Sequence, residues 1–263
     1  MTTLKNKTII VTGGASGIGK KMSLIMRDQG AKIAILDINQ NNLKKMENEK
    51  NIFCFTCDVS NRDNIREVVS QVEKKLGDIH ILFNNAGIVI GKTLLESTEE
   101  DIIKTYDINT LALYWMTRAV LPSMLKRNEG HIVNIASAAG IIGVSKLADY
   151  SGSKFAAFAF DESLRMELRK QKSNIKTTVV CPYYINTGMF DGVKTKFSFL
   201  LPILKEDYVA NKIVSSIIKN KRRIVTPWIV YTVWPLRVLP VGVFDFVASF
   251  LGINSSMDEF KTK

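Results

Sequence analysis

Thr8-Ile9-Ile10-Val11-Thr12-Gly13-Gly14-Ala15-Ser16-Gly17-Ile18-Gly19 is the stretch on which the fold turns. A short β-favouring run enters a loop with glycine at 13, 14, 17 and 19, and the loop opens an amphipathic run that stops at Gly30. Glycine removes the Cβ that would hold an anion away from the backbone. The following helix N-terminus supplies unpaired N–H groups and partial positive charge. A glycine pattern alone is weak, because glycine-rich turns without function are common. Its position between a strand and a helix raises its weight. Gly13, Ser16, Gly17, Ile18 and Gly19 are therefore the candidate pyrophosphate cradle of a dinucleotide site.

Outward from this loop the chain alternates strand-like and helix-like runs. The spacing predicts strands at 8–11, 32–36, 51–57, 79–83, 131–136, 175–181 and 223–225, and helices at 17–29, 60–76, 98–126, 149–172 and 206–220. In the run 60–76, Ile65, Val68, Val69, Val72 and Leu76 form one helical stripe, with Ser60 as the expected cap and Asp63 completing a capping-box variant. Alternating strands and helices imply a parallel sheet with right-handed crossovers. The reading is one α/β, doubly wound Rossmann-type domain over 1–263, in which residues from about 183 onward form a substrate cap.

The composition of 263 residues, 46% hydrophobic and 23% charged, excludes a disordered, collagen-like or coiled-coil chain. A formal charge of +11 fits an anionic partner, which could be a nucleotide, a membrane surface or a nucleic acid. No binding motif supports nucleic acid. Three cysteines and a polar start, Met1 to Lys7, fit a reducing, cytoplasmic setting and no secretory leader. The longest uncharged apolar run, 224–236, contains Pro227 and is too short to span a bilayer.

Asp37 ends the second strand run, and an acidic residue there can accept hydrogen bonds from ribose hydroxyls while repelling a 2′-phosphate. Its neighbour is Ile38 rather than Arg, so the expectation is NAD over NADP. The competing reading is that Asp37 only caps its turn. Tyr150-Ser151-Gly152-Ser153-Lys154 opens the run 149–172 and puts Tyr150 and Lys154 on one helix face. An ammonium beside a phenol favours phenolate, which would make Tyr150 a base for an alcohol proton. Ser137, just past the fifth strand run, could hydrogen-bond the substrate oxygen. Taken alone, Tyr-x-x-x-Lys is more often a solvated helix face.

With these motifs in hand, the chain resembles the short-chain dehydrogenase/reductase family along nearly all its length. The loop, Asp58-Val59, Asn84-Asn85-Ala86-Gly87, Asn109, Ser137 and Tyr150-x-x-x-Lys154 stand in that family's order. The resemblance implies Tyr150 as general acid/base, Lys154 as its modulator and a ribose ligand, Ser137 on the substrate oxygen, and Asn109 positioning a water. It also implies cofactor contacts at Ile38, Asp58, Val59, Asn85, Ala86, Gly87, Pro182, Ile185 and Thr187, and homodimers or homotetramers built on the runs 98–126 and 149–172. Residues 181–190, with Tyr183 where the family usually has glycine, resemble the epidermal retinol dehydrogenases and lipid-droplet hydroxysteroid dehydrogenases. That branch implies a lipophilic alcohol substrate. A non-catalytic dinucleotide binder or membrane scaffold is the alternative, and the four-residue set argues against it.

Residues 194–237 carry nine Lys/Arg against Glu206 and Asp207, interleaved with aromatics, so contact with a lipid surface stands beside a plain substrate lid as an expectation. Cys54 and Cys57 have metal-site spacing but lie on a strand, where they point to opposite faces, so they read as buried packing residues and no metal is expected. His80 and His131 read as structural, and Cys181 as a lone thiol.

Overall fold

The strands are apolar on both faces because helices cover both faces of the sheet they form. The computed structural model describes residues 2–260. Its elements, in chain order, are β1 (Thr8–Thr12), α1 (Gly17–Asp28), β2 (Lys32–Asp37), α2 (Gln40–Lys44), β3 (Ile52–Thr56), α3 (Arg62–Leu76), β4 (Ile79–Asn84), α4 (Glu99–Tyr106), α5 (Ala112–Arg127), β5 (His131–Ile135), α6 (Ala148–Lys170), β6 (Lys176–Pro182), α7 (Glu206–Ile218), β7 (Arg223–Thr226), α8 (Val233–Leu236) and α9 (Val241–Phe250). All seven strands pair in parallel in the order β3-β2-β1-β4-β5-β6-β7. This is the single doubly wound Rossmann-type domain the alternation predicts.

Alternation along β1 and β2 sorts the core into two layers. Ile9, Val11, Ile33 and Ile35 pack with Met22 and Met26 of α1 and Val209 and Ile213 of α7. Ile10, Ala34 and Leu36 face the other way, onto the α3 stripe and onto Met116 and Val120 of α5. The strand order reverses between β1 and β4, which leaves a crevice at their carboxyl ends, the usual ligand position in such sheets.

Several local expectations are corrected. Asn61, not Ser60, caps α3; its side chain accepts from the N–H groups of Asp63 and Asn64, while the Ser60 hydroxyl turns back to Asp58. The run 98–126 is not one continuous helix: a π-helical turn, Asp107–Leu111, separates α4 from α5. Cys54 is half-buried rather than buried, and it donates to the Leu43 carbonyl at 3.5 Å. The opposite-face argument holds, since Cys54 packs in the first layer and Cys57 in the second. Helices α2, α8 and α9 are additions that the spacing did not reveal.

Candidate active site

The glycine loop is held from two sides. Thr12, at the end of β1, accepts from the N–H groups of Asn85 and Ala86 at 2.9 and 3.0 Å. Asn85 returns its side-chain amide to the carbonyls of Thr12 and Gly13. Gly13 has φ +60, and a Cβ there would stand 3.1 Å from Ala86 Cα, so the loop and the end of β4 can pack this closely only with glycine. Ser16 heads α1 without a side-chain cap, and the first turn has no acidic residue. The first-turn N–H groups of α1 are thus left to an anion, which fits the pyrophosphate of a dinucleotide.

Asp37 ends β2 with its carboxylate already engaged. One oxygen accepts from Ala15 N–H at 3.1 Å and the other from Asn39 N–H at 3.0 Å. It therefore ties the glycine loop to the turn after β2, as the turn-capping reading expected. Asn39 and Asn42, just beyond it, line the cleft and were not singled out in the sequence. Asp37, Ile38, Asp58, Val59 and Asn109 do not line it. Ile38 is exposed and Val59 packs in the core. The Asp58 carboxylate accepts from Ser60.

The structure brings Ser137, Tyr150 and Lys154 to one wall of the cleft, and Gly13, Ser16, Gly17, Ile18, Gly19, Asn85, Ala86, Gly87, Pro182, Ile185 and Thr187 line it as well. Tyr150 and Lys154 are buried, on successive turns of α6. Lys154 Nζ donates to the Ile135 carbonyl at 2.9 Å and lies 5.7 Å from the Tyr150 ring centroid. Burial lowers Lys154 from 10.5 to about 8. Burial likewise pushes the Tyr150 phenol above its ordinary value, with hydrogen bonding from Ser137 opposing the rise. In this structure burial, rather than the Lys154 charge, sets the direction of the phenol's shift.

Ser137 Oγ accepts from Ala139 N–H at 3.1 Å, and its hydroxyl hydrogen is directed at the Tyr150 phenol. Asn109 sits in the π-helical turn, which aims its side chain at the 87–88 backbone. Its Oδ1 accepts from Ile88 N–H at 2.8 Å, and its Nδ2 donates to Ile88 O and Ser153 Oγ. A Cβ on Gly87 would stand 3.2 Å from Asn109 Oδ1 and 3.3 Å from Lys154 Nζ, so both polar atoms approach one point over this glycine.

The remaining wall is apolar. The cleft, about 850 Å³, continues past Tyr150 between Ile142, Val144 and Leu147 on one side and Tyr184, Phe190, Val233, Phe244 and Ala248 on the other. Tyr150 and Tyr184 both pack edge-on against Phe190. The sequence signal for this wall was weak: Ile142, Val144 and Leu147 lie between β5 and α6 without periodicity. The two histidines, buried His131 and half-buried His80, stay outside the site. His131 Nε2 lies 2.8 Å from Thr178 Oγ1, and burial lowers it to about 3, so it is neutral.

The comparisons with known proteins agree with this geometry. The family model described as short chain dehydrogenase matches residues 7–197. Human epidermal retinol dehydrogenase 2 is 41% identical over 261 residues, covering 96% of this chain and 84% of that protein. The Bos taurus short-chain dehydrogenase/reductase family 16C member 6 is 38% identical over 260 residues, covering 96% of this chain and 82% of that protein. A short-chain dehydrogenase/reductase from Burkholderia phymatum, crystallised in complex with NAD, superposes with a TM-score of 0.82 at 25% identity, covering 90% of this chain and 95% of that one. With the glycine loop, the Tyr150–Lys154 pair and the parallel sheet in their places, this chain belongs to the short-chain dehydrogenase/reductase family and is an oxidoreductase.

Proposed function

We propose that this enzyme interconverts a lipophilic alcohol and its aldehyde or ketone, with NAD as hydride partner. The observation that carries the reading is the cleft itself. Its phosphate-binding end is a glycine loop and an uncapped helix N-terminus, its middle holds Ser137, Tyr150 and Lys154, and its far end is apolar. A substrate with one polar function on a long apolar body matches that distribution; a sugar or an acid would strand polar groups among Phe190, Val233 and Phe244. The named relatives that act on retinol support the same class.

NAD, held by the glycine loop and by Asn85, Ala86, Gly87, Pro182, Ile185 and Thr187, supplies the hydride acceptor or donor. Tyr150 takes the alcohol proton in oxidation and returns it in reduction. With substrate bound, Ser137 turns its hydroxyl hydrogen from Tyr150 to the substrate oxygen. Lys154, buried and with one hydrogen on Ile135, directs its charge along α6 toward the phenol and the cofactor ribose. Asn109 holds the 87–88 backbone and, through the point it shares with Lys154 over Gly87, positions a water for proton exchange. Asp37 keeps the adenosine end acidic, which disfavours a 2′-phosphate and favours NAD over NADP.

The test is a substrate screen followed by NADH absorbance with all-trans-retinol, a hydroxysteroid and long-chain alcohols, run with NAD and NADP in parallel. The expected result is turnover of at least one of these with NAD preferred, and Asp37→Ala should relax the preference. No turnover of any of them, with NAD still binding, overturns the substrate class. A wild type that prefers NADP overturns the cofactor assignment. Exposed Ile103, Tyr106, Tyr114 and Met166 on α4, α5 and α6 support a homodimer through this face, to be read by light scattering.

A further inference from the structure

The helix that walls the substrate end of the cleft is apolar on its outer side as well. Phe244, Val247 and Ala248 of α9 line the cleft. On the same ten-residue helix Val241, Val243, Phe246 and Phe250 face outward, with Phe246 71% exposed and Asp245 as the sole charge. Val238, just before α9, is 86% exposed. The apolar area continues onto the 194–204 loop through Phe250, Phe197 and Phe199, whose rings follow one another at 5.7 and 6.2 Å between centroids, the first pair tilted and the second edge-on. A buried helix is apolar all round, a surface helix only on its inner stripe. This one, Asp245 and Ser249 apart, is apolar on both its inner and outer sides and is exposed.

The residues bordering this area indicate what covers it. Lys196 Nζ lies 5.2 Å from the Phe250 ring centroid and 5.5 Å from that of Phe197. Arg237 stands over Phe244 from the other side. Lys205 lies on the same loop, Lys194 beside it pairs with Glu259, and the whole chain carries +11. Aromatic and aliphatic side chains bordered by Lys and Arg match the interface of an anionic bilayer, where apolar groups enter the acyl boundary and cations meet headgroups. A second copy of this chain would bring a like positive charge to the same border. At about 1.5 Å per residue α9 is about 15 Å long, half a hydrocarbon core, so it lies in the plane of the surface rather than across it.

We propose that α9, with Val238 and Phe199 beside it, docks on an anionic phospholipid bilayer, and that the apolar substrate passes from the lipid into the cleft along this helix. The inference rests on the proposed lipophilic substrate only for its second half; docking stands without it. One helix is both the wall of the cleft and the membrane-facing surface, so a lipid-dissolved alcohol reaches the far end of the cleft without crossing water.

The experiment is vesicle flotation of the full chain with phosphatidylcholine alone and with phosphatidylcholine mixed with phosphatidylserine, alongside a Val243→Ser/Phe246→Ser variant and a Lys196→Glu variant. Expected are co-flotation with the mixed vesicles, at least a tenfold loss in either variant, and weakening by salt. With a water-soluble short-chain alcohol the serine variant should match wild type, whereas with a vesicle-dissolved long-chain alcohol it should lose at least tenfold in kcat/KM. No flotation of wild type with the mixed vesicles overturns docking, whatever the enzyme turns over. Flotation that survives both variants overturns the assignment to α9. A concentration-dependent dimer that the serine variant abolishes, without vesicle binding, gives the face to a second copy instead. Flotation as expected with equal loss on both alcohols overturns the entry route and leaves the docking.

Discussion

At the scale of single residues the chemistry depends on where one proton sits. Tyr150 and Lys154 share a buried wall, and burial lowers the ammonium to about 8 while raising the phenol. The first proton therefore leaves the pair near pH 8, and the form competent for oxidation is the one with the charge on Lys154 and the phenol ionised. The kcat/KM for alcohol oxidation should rise with pH and level off above about pH 8, and carbonyl reduction should fall over the same range. Rate profiles in both directions check this; an oxidation rate flat from pH 6 to about pH 9 would contradict it. Gly87 makes a second case. A Cβ there meets Asn109 Oδ1 at 3.2 Å and Lys154 Nζ at 3.3 Å, tighter than ordinary contact. Gly87→Ala should lower kcat by about tenfold, as expected when a catalytic group is displaced by part of an ångström, with little change in Tm. Steady-state kinetics beside thermal melting separate the two effects.

At the scale of elements, the sequence's pattern was legible wherever one physical signal decided. The α3 stripe, the glycine loop and Asp37 at the end of β2 all fell where spacing put them. The cap did not, because Ser60 and Asn61 are both good caps and only the path of the turn chooses between them. Asn61→Ala should cost about 1 kcal/mol in urea unfolding, and Ser60→Ala less than about 0.5. The reverse order would restore the expected cap. The π-helical turn at 107–111 was illegible for a different reason: Asp107-Ile108-Asn109-Thr110-Leu111 carries no breaker, and tertiary bonds from Asn109 to Ile88 and Ser153 and from Thr110 to the Ser153 carbonyl accompany it. Helix α9 escaped for lack of amphipathic contrast, since it is apolar on both sides. The depth at which Tyr150 and Lys154 are buried was not legible, because neighbours four apart can be read from a sequence and their burial cannot.

Across the whole molecule, two buried titrating groups set opposite slopes of stability with pH. His131 is lowered by burial from 6.5 to about 3, so the folded state binds fewer protons, and the stability it lends is present above pH 6.5 and lost as pH falls toward 3. Asp161, bonded to Asn134 and Thr177, is raised by burial from 3.8 to about 6; its stability is present below 3.8 and lost as pH rises through 6. Between pH 4 and pH 6 the two offset each other, each at up to about 1.4 kcal/mol per unit. His131→Asn should therefore leave the Asp161 slope uncompensated, so that stability rises as pH falls from about 6 to about 4, read by urea unfolding across that range. The same sheet holds the cofactor loop, the phenol and the apolar wall in one cleft, and the proposed reaction needs all three. The most direct measurement is NADH formation by Tyr150→Phe, beside wild type, on the best alcohol of the screen, with the NAD Kd of both taken by fluorescence. The account predicts a fall in kcat of about 10²- to 10⁴-fold with the Kd nearly unchanged. A Phe variant that keeps most of its turnover would contradict it.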